Sequence, residues 1–340
     1  MSPFRVADCH LHFEGTVPVP FLAALARRRG HRFADVAVFE AERSAVRDRQ
    51  GFLALYAEVC RLFRSPEEYG EAAGAVALAI TDGGASYAEV YVSPEIPARF
   101  GLDPESCLTQ IDHGFREAER MGAAPCRILL DAVRQWGPEA ADRVLDLHEK
   151  TRLASVVGFG LGGDEIAAPA AAFAGIYVRA RALELKTSVH AGEWAGAQSL
   201  QEALDYLRPD RVDHGVAAVD DPHLLARLAE ESTSLWVSPT SNLVTGAVED
   251  LAEHPLPRLL DAGVCVALGA DDPLLFATTT AREHALVREK LGFGERTMRL
   301  LAENSWRSAF CSTAERDRAL VELGVHRPRR GGPPQPRVAS

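Results

Sequence analysis

Eight short apolar runs recur along the chain, and longer segments with helical periodicity separate them. One such segment repeats Phe52, Leu55 and Val59 on a single helix face, and another begins at Pro138. Strands that alternate with helices favour parallel pairing through right-handed crossovers. Eight such units predict an α/β fold, the closed (β/α)8 TIM barrel. The predicted strands are residues 6–11, 87–92, 127–131, 156–159, 187–190, 211–213, 235–237 and 264–268.

The segment between the first two predicted strands is far longer than one crossover requires. It spans about residues 16–86 and contains at least three helical patterns. Long insertions in this fold usually build the binding face. We therefore predict a helical insertion after the first strand that covers the barrel mouth. We also predict a single domain over residues 1–325 and a flexible tail over 326–340, which is rich in Pro, Gly and Arg.

Composition and charge argue against several classes of protein. The formal net charge of -11 argues against nucleic acid as a partner, because phosphate binding needs cationic side chains. No apolar run approaches the roughly 20 residues of a membrane span, and no signal pattern opens the chain. The six cysteines form no CxxC pair, which favours free thiols. We expect a cytoplasmic protein with a small-molecule partner; the sequence does not indicate its oligomeric state.

Two histidines end the first predicted strand, in the stretch "CHLHFEG". Residues i and i+2 of a strand point to the same side, so His10 and His12 should both face the barrel interior. That geometry suits two imidazole nitrogens on one metal ion. The pair alone equally suits two histidines that are satisfied by hydrogen bonds.

Further polar residues follow three later strands. "SVHAGE" contains His190 and Glu193, "RVDHG" contains His214, and "GADDP" contains Asp271 and Asp272. Barrel enzymes build their sites at these strand ends, so the clustering predicts a catalytic metal site, with a structural polar network as the alternative. Three histidines and a carboxylate without cysteine suit zinc, although iron or cobalt could also occupy such a set. The fourth strand offers no lysine to bridge two ions, which favours one.

These motifs resemble those of the adenosine deaminase family of metal-dependent aminohydrolases. The similarity includes "VSPTSN", and "FLALYAEVCRLFRSPEEY" followed by "YAEVYVSP", and it runs from about residue 8 to 310. The family's (β/α)8 barrel with one zinc agrees with the fold predicted above. The resemblance implies hydrolytic deamination of a 6-aminopurine to a 6-oxopurine and ammonia. It also implies four zinc ligands: His10, His12, His190 and Asp271.

The resemblance further implies how the remaining residues act. His214 would position and deprotonate the water, and Glu193 would protonate purine N1 as C6 is attacked. Asp272 would contact N7, and Gly163 would bring its backbone N–H to N3, where only glycine permits close approach. His12 and Glu14 would also contact the substrate. We interpret Asp164 and Glu165, beside Gly163, as acids that open a helix.

Several positions depart from the adenosine-specific pattern. Glu14 stands where many adenosine enzymes have the Asp that binds the ribose 5′-hydroxyl. Gly160 and Asp213 resemble the branches that act on adenine or on 6-aminodeoxyfutalosine, whereas Thr240 resembles the nucleoside branch. We expect an adenosine- or deoxyadenosine-type nucleoside as substrate, with adenine or a modified nucleoside such as 6-aminodeoxyfutalosine as the alternative. A different amidohydrolase or a non-catalytic binding relative is the competing class.

Overall fold

The computed structural model describes residues 4–325, so the predicted tail at 326–340 lies outside the described residues. Within this part, eight parallel strands form one sheet in which each strand pairs with the next along the chain. The assignment of 1–325 to a single domain stays a prediction. The strands are β1 Val6–His12, β2 Ala85–Val92, β3 Cys126–Val133, β4 Val156–Gly162, β5 Lys186–Ala191, β6 Arg211–His214, β7 Ser234–Val237 and β8 Val266–Leu268.

The segment that follows β8 brings the sheet back to β1. Leu11 and Asp271 form a parallel bridge, and the Asp271 N–H donates to the His10 carbonyl at 2.8 Å. The His12 N–H donates to the Asp271 carbonyl at 3.0 Å. The sheet is therefore a nearly closed barrel, which confirms the predicted (β/α)8 fold and all eight predicted strands. β4 extends to Gly162, beyond its predicted end.

Helices connect consecutive strands, as the alternating pattern predicts. Pro or a polar cap begins many of them; Ser65, for example, accepts from the Glu68 N–H at the start of one long helix. The helices are α1 Val19–Arg28, α2 Val36–Ala45, α3 Arg49–Cys60, α4 Pro66–Asp82, α5 Glu95–Arg99, α6 Pro104–Arg120, α7 Gly137–Thr151, α8 Ala174–Ala182, α9 Gly196–Glu202, α10 Pro222–Glu231, α11 Pro239–Val244, α12 Leu256–Asp261, α13 Pro273–Phe276, α14 Thr280–Lys290, α15 Glu295–Ser308 and α16 Thr313–Glu322.

The insertion between β1 and β2 holds α1 to α4, so the predicted helical insertion is present. α3 lies over the strand ends, and its Phe52 ring stacks on Phe276 of α13 with ring centroids 5.1 Å apart. Apolar side chains of this insertion and of the barrel pack into one continuous core. α3 thus forms a wall of the cavity at the barrel mouth.

Two further findings bear on the composition argument. All six cysteines are free thiols, as the sequence predicts. Across residues 4–325, the structure contains no helix with the length and apolarity that crossing a membrane requires.

Candidate active site

A group of four side chains meets at the C-terminal mouth of the barrel. His10 and His12 come from β1, His190 from β5 and Asp271 from the segment after β8, and their ligand atoms all lie within 4.8 Å of one another. The Nε2 atoms of His10 and His12 each lie 3.1 Å from His190 Nε2. Asp271 Oδ1 lies 3.4 Å from His10 Nε2 and 3.3 Å from His12 Nε2. The structure therefore brings together all four residues predicted as ligands.

Hydrogen bonds at the Nδ1 atoms of His10 and His190 direct their Nε2 atoms at a common centre. His10 Nδ1 lies 3.3 Å from the Trp236 carbonyl, and His190 Nδ1 lies 3.2 Å from the Leu161 carbonyl. An Nδ1–H that donates to a carbonyl leaves the Nε2 lone pair facing inward. Converging lone pairs repel unless a cation lies between them. A tetrahedral ion with ligands at about 2.0–2.1 Å separates neighbouring ligand atoms by about 3.3 Å, so these residues fit a metal ion.

Unusual backbone conformations help to build this cluster. Asp271 and His214 have φ values of +60° and +65°, in the left-handed region that non-glycine residues rarely adopt. Gly15 packs so closely against Asp272 that a Cβ there would lie 1.6 Å from Asp272 Oδ1. The glycine of "CHLHFEG" is therefore required by the close approach of the two strand-end segments.

The Glu193 carboxyl faces the cluster from the loop after β5. It is buried, and within the described residues its Oε1 has no hydrogen-bond partner. Its Oε2 lies 3.4 Å from His214 Nε2. Burial, followed by the nearby Asp271 carboxylate, raises the pKa of Glu193 well above its usual range. The raised pKa favours the protonated form of Glu193, and its Oε1 has no partner among the described residues.

His214 and Asp272 complete the polar side of the site. The Asn242 side-chain nitrogen lies 3.0 Å from His214 Nδ1 and directs Nε2 toward Glu193 and Asp271. Burial, followed by the charge of His10, lowers the pKa of His214 well below its usual range. Burial, followed by the Asp271 charge, raises the pKa of Asp272, and Oδ1 of Asp272 has no partner among the described residues.

A cavity joins these groups to a largely aromatic wall. Gly163 lines it with φ +86°, and a Cβ there would lie 2.4 Å from Gln135 Oε1, so this position requires glycine. The sequence interpretation missed the wall, because its members come from four separate segments. The cavity-lining residues that it missed include Phe52, Tyr56, Ser93, Asp131, Gln135, Trp136 and Trp194.

The Glu14 side chain is hydrogen-bonded within the protein. It is buried, and it is not among the residues that line the cavity. The Tyr56 hydroxyl, from α3, donates to Glu14 Oε2 at 3.0 Å. The side chain that faces the ligand space here is therefore Tyr56, and Glu14 lies behind it.

Two of the departures from the adenosine-specific pattern, Gly160 and Asp213, are linked through Tyr91. A Cβ at Gly160 would lie 2.3 Å from Tyr91 Cε1, so glycine makes room for the ring. The Tyr91 hydroxyl donates to Asp213, which also accepts from Ser188 Oγ at 2.6 Å. The ring in turn stacks on His12 with centroids 4.9 Å apart. Gly160, Tyr91 and Asp213 thus form one packed unit beside the candidate metal ligands.

With the geometry described, comparison with known proteins adds a family match and named relatives. A family model described as "Adenosine deaminase" matches residues 6–324. The chain is similar to an adenine deaminase of Chelativorans sp. strain BNC1, with 35% identity over 318 residues that cover 93% of this chain and 97% of the relative. It is 33% identical to an adenine deaminase of Agrobacterium fabrum strain C58, over 94% of this chain and 97% of that protein.

A solved structure gives the same result in three dimensions. The chain superposes on the crystal structure of an adenine deaminase from Arthrobacter aurescens with a TM-score of 0.88 and 30% identity. The match covers 94% of this chain and 98% of the other. The fold described above, which includes the barrel and its helical insertion, is therefore shared by the two proteins.

Proposed function

The chain belongs to the adenosine deaminase family and is a hydrolytic deaminase, and on that premise we propose that its substrate is the free base adenine. Adenine was the alternative in the sequence interpretation, which favoured a nucleoside. The named relatives support the base, because adenine deaminases match 93–94% of this chain. The coarser assignment, an aminopurine deaminase, does not depend on this choice.

One observation carries the chemical part of the proposal. The unpartnered oxygens of Glu193 and Asp272 line the same cavity as the convergent ligand atoms of His12, His190 and Asp271. A buried carboxyl oxygen that has no partner, as these two have none among the described residues, costs stability unless a ligand uses it. Two such groups beside a candidate metal site support a substrate with two ring nitrogens to contact.

We assign zinc to the cluster of His10, His12, His190 and Asp271, because three imidazoles and one carboxylate suit that ion. When bound, the ion supplies Lewis acidity and a water-derived nucleophile at neutral pH. His12, a ligand, would also lie against the substrate because it lines the cavity.

The protein's own groups then act on the purine. Glu193, whose raised pKa favours the protonated form, donates a proton to ring N1, which makes C6 electrophilic and prepares the amino group to leave as ammonia. His214, held by Asn242, orients the attacking water, takes up its proton and passes that proton to the departing amino group. The proton left on the C6 hydroxyl returns to Glu193 as the 6-oxo group forms. Asp272 donates to N7 in its protonated form, which its raised pKa favours, and the Gly163 N–H donates to N3.

The internal hydrogen bonds of Glu14 and Ser93 support a base over a nucleoside. Hydroxyl groups of a bound ribose need polar partners, and burying them without partners is costly. Glu14, assigned to the 5′-hydroxyl by analogy with the Asp of adenosine enzymes, is bonded to Tyr56. The Ser93 hydroxyl donates to Asp131 at 2.5 Å. Both groups are therefore occupied within the protein.

A substrate panel tests this proposal. Adenine, adenosine, deoxyadenosine and 6-aminodeoxyfutalosine are incubated with zinc-loaded protein, and conversion is followed by the ultraviolet shift from 6-aminopurine to 6-oxopurine and by ammonia release. We expect turnover of adenine. Turnover of a nucleoside but not of adenine refutes the substrate assignment, and no turnover of any of the four refutes deamination of these 6-aminopurines.

A further inference from the structure

The Glu165 carboxylate lies beneath the loop that carries Glu193. Its Oε2 accepts from the backbone N–H groups of Glu193, Trp194 and Ala195 at 3.0, 2.6 and 3.0 Å. Its Oε1 accepts from the Gly192 N–H at 2.6 Å and from Ser199 Oγ at 2.6 Å. Four consecutive backbone donors and one hydroxyl thus point at a single buried carboxylate.

This pattern corrects the interpretation of Glu165 as a helix-opening acid. The neighbouring Asp164 does play that part, since it accepts from the Ile166 N–H two residues ahead at 3.2 Å. The Glu165 partners instead lie 27–34 residues further along the chain, on the loop after the next strand and in the first turn of α9. Glu165 therefore links two neighbouring barrel loops, whereas Asp164 caps its own turn.

A second buried residue holds the strand end next to this loop. Arg134 donates to the His190 carbonyl at 2.7 Å and to the Ala168 carbonyl at 3.2 Å. The main chain is therefore fixed on both sides of the turn that separates His190 from Glu193. Trp194, which lines the cavity, is held by the same carboxylate through its N–H.

We propose that Glu165 is a positioning residue for the acid step: it fixes the 192–195 loop so that the Glu193 carboxyl faces ring N1 and Trp194 faces the base. The inference rests on the proposed function, because it assumes the Glu193 role. Glu165 does not touch the substrate; it acts through Glu193. Its negative charge supports the same role, because after burial and Asp271 it contributes to the raised pKa of Glu193.

Glu165→Gln is the most direct perturbation. An amide keeps one acceptor oxygen but presents an NH₂ group to N–H donors on the other side, whichever way it is turned. Displacing a reacting group by about 1 Å can cost on the order of 100-fold in rate. We expect kcat to fall by about 10- to 100-fold while KM changes less than about threefold, because cavity-lining groups outside the loop remain.

A double-mutant cycle distinguishes positioning from general support of the fold. If Glu165 acts through Glu193, Glu165→Gln should lower kcat by less than about threefold in a Glu193→Gln background. An equal loss of kcat in both backgrounds overturns the proposal. The matched control is Glu202→Gln, the same chemical change on α9, where the Glu202 carboxylate accepts from Gln198 Nε2 at 3.2 Å. It should leave kcat at the wild-type value.

Two further variants protect the test if Glu165→Gln fails to fold. Glu165→Asp keeps the charge but is one methylene shorter, so an intermediate loss of kcat is expected, and it too should vanish with Glu193→Gln. Ser199→Ala removes one donor and leaves four, so kcat should stay within about threefold of wild type. A loss from Glu165→Asp that persists without Glu193 contradicts the inference.

Hydrogen exchange separates this inference from the proposed function. Amides 193–195 should exchange at least about tenfold faster in Glu165→Gln than in wild type, whatever the substrate is, because their acceptor is disturbed. If wild-type protein deaminates no 6-aminopurine, the proposed function fails on its own. Unchanged exchange at these amides overturns the positioning role, whether or not the protein deaminates.

Discussion

Replacing Gly160 by alanine tests the packed unit of Gly160, Tyr91 and Asp213. The new Cβ would lie 2.3 Å from Tyr91 Cε1, whereas ordinary contact begins at 3.4 Å, so the ring must move by about 1.1 Å (3.4 − 2.3). The ring is held by its hydroxyl on Asp213 and by its stack on His12, so the strain reaches a candidate metal ligand.

Overpacking of this kind costs about 1–3 kcal/mol of unfolding free energy. Gly160→Ala should therefore unfold at lower urea concentration than wild type and should also bind zinc more weakly in a competition assay with a chelator. Gly175→Ala is the matched control, because Gly175 lies in α8 with no atom near its added Cβ. That variant should be neutral or up to about 1 kcal/mol more stable. Wild-type stability and zinc affinity in Gly160→Ala would refute the packing argument.

Three further outcomes are expected. Glu193→Gln should keep its zinc yet lose about 10²- to 10⁴-fold in kcat, because it removes the only proton donor assigned to N1; a rate near wild type contradicts the acid role. His12→Ala should contain less bound metal than wild type, as measured by elemental analysis. Stoichiometric zinc in that variant contradicts the ligand assignment. Burial lowers the pKa of His254 from 6.5 to about 4. As pH falls from 7 to 5, His254 therefore becomes protonated in the unfolded chain but stays largely neutral in the folded chain. His254 alone should therefore remove about 2 kcal/mol of unfolding free energy over that range. His254→Gln should lose this part of the pH dependence in urea titrations; an unchanged dependence contradicts it.

The barrel could be predicted because each strand has a local sequence pattern. Apolar runs between helical segments mark all eight, and the polar residues that matter follow them directly in sequence. Strand ends were less predictable, and β4 differs most: Gly160 and Gly162 lie beyond its predicted end but belong to the strand. Gly160 is instead a strand position emptied for the Tyr91 ring, which comes from a strand two places away in the barrel.

The site was only partly predictable, for a related reason. The four candidate ligands, together with Glu193, His214 and Asp272, lie in short motifs, and the structure brings them together. The Glu165 contacts and the Tyr56 hydroxyl on Glu14 join segments that are 27 or more residues apart, and no local pattern encodes such pairs.

The substrate was the least predictable part. Thr240 favoured a nucleoside in the sequence interpretation, but Thr240 does not line the cavity; its N–H donates to Glu283 at 3.0 Å. The relatives favour adenine. Thr240 was therefore a poor guide to the substrate, because it does not contact the space in which the substrate would lie.

The most direct test of the account is the ratio of kcat/KM for adenine to that for adenosine, measured on zinc-loaded wild-type protein. Glu14 and Ser93 are bonded within the protein and are therefore not available to ribose hydroxyls. A hydroxyl buried without a partner costs about 1–3 kcal/mol, so two of them lead us to expect a ratio of about 100 or more. A ratio below one would contradict adenine as the substrate and would return the assignment to a nucleoside.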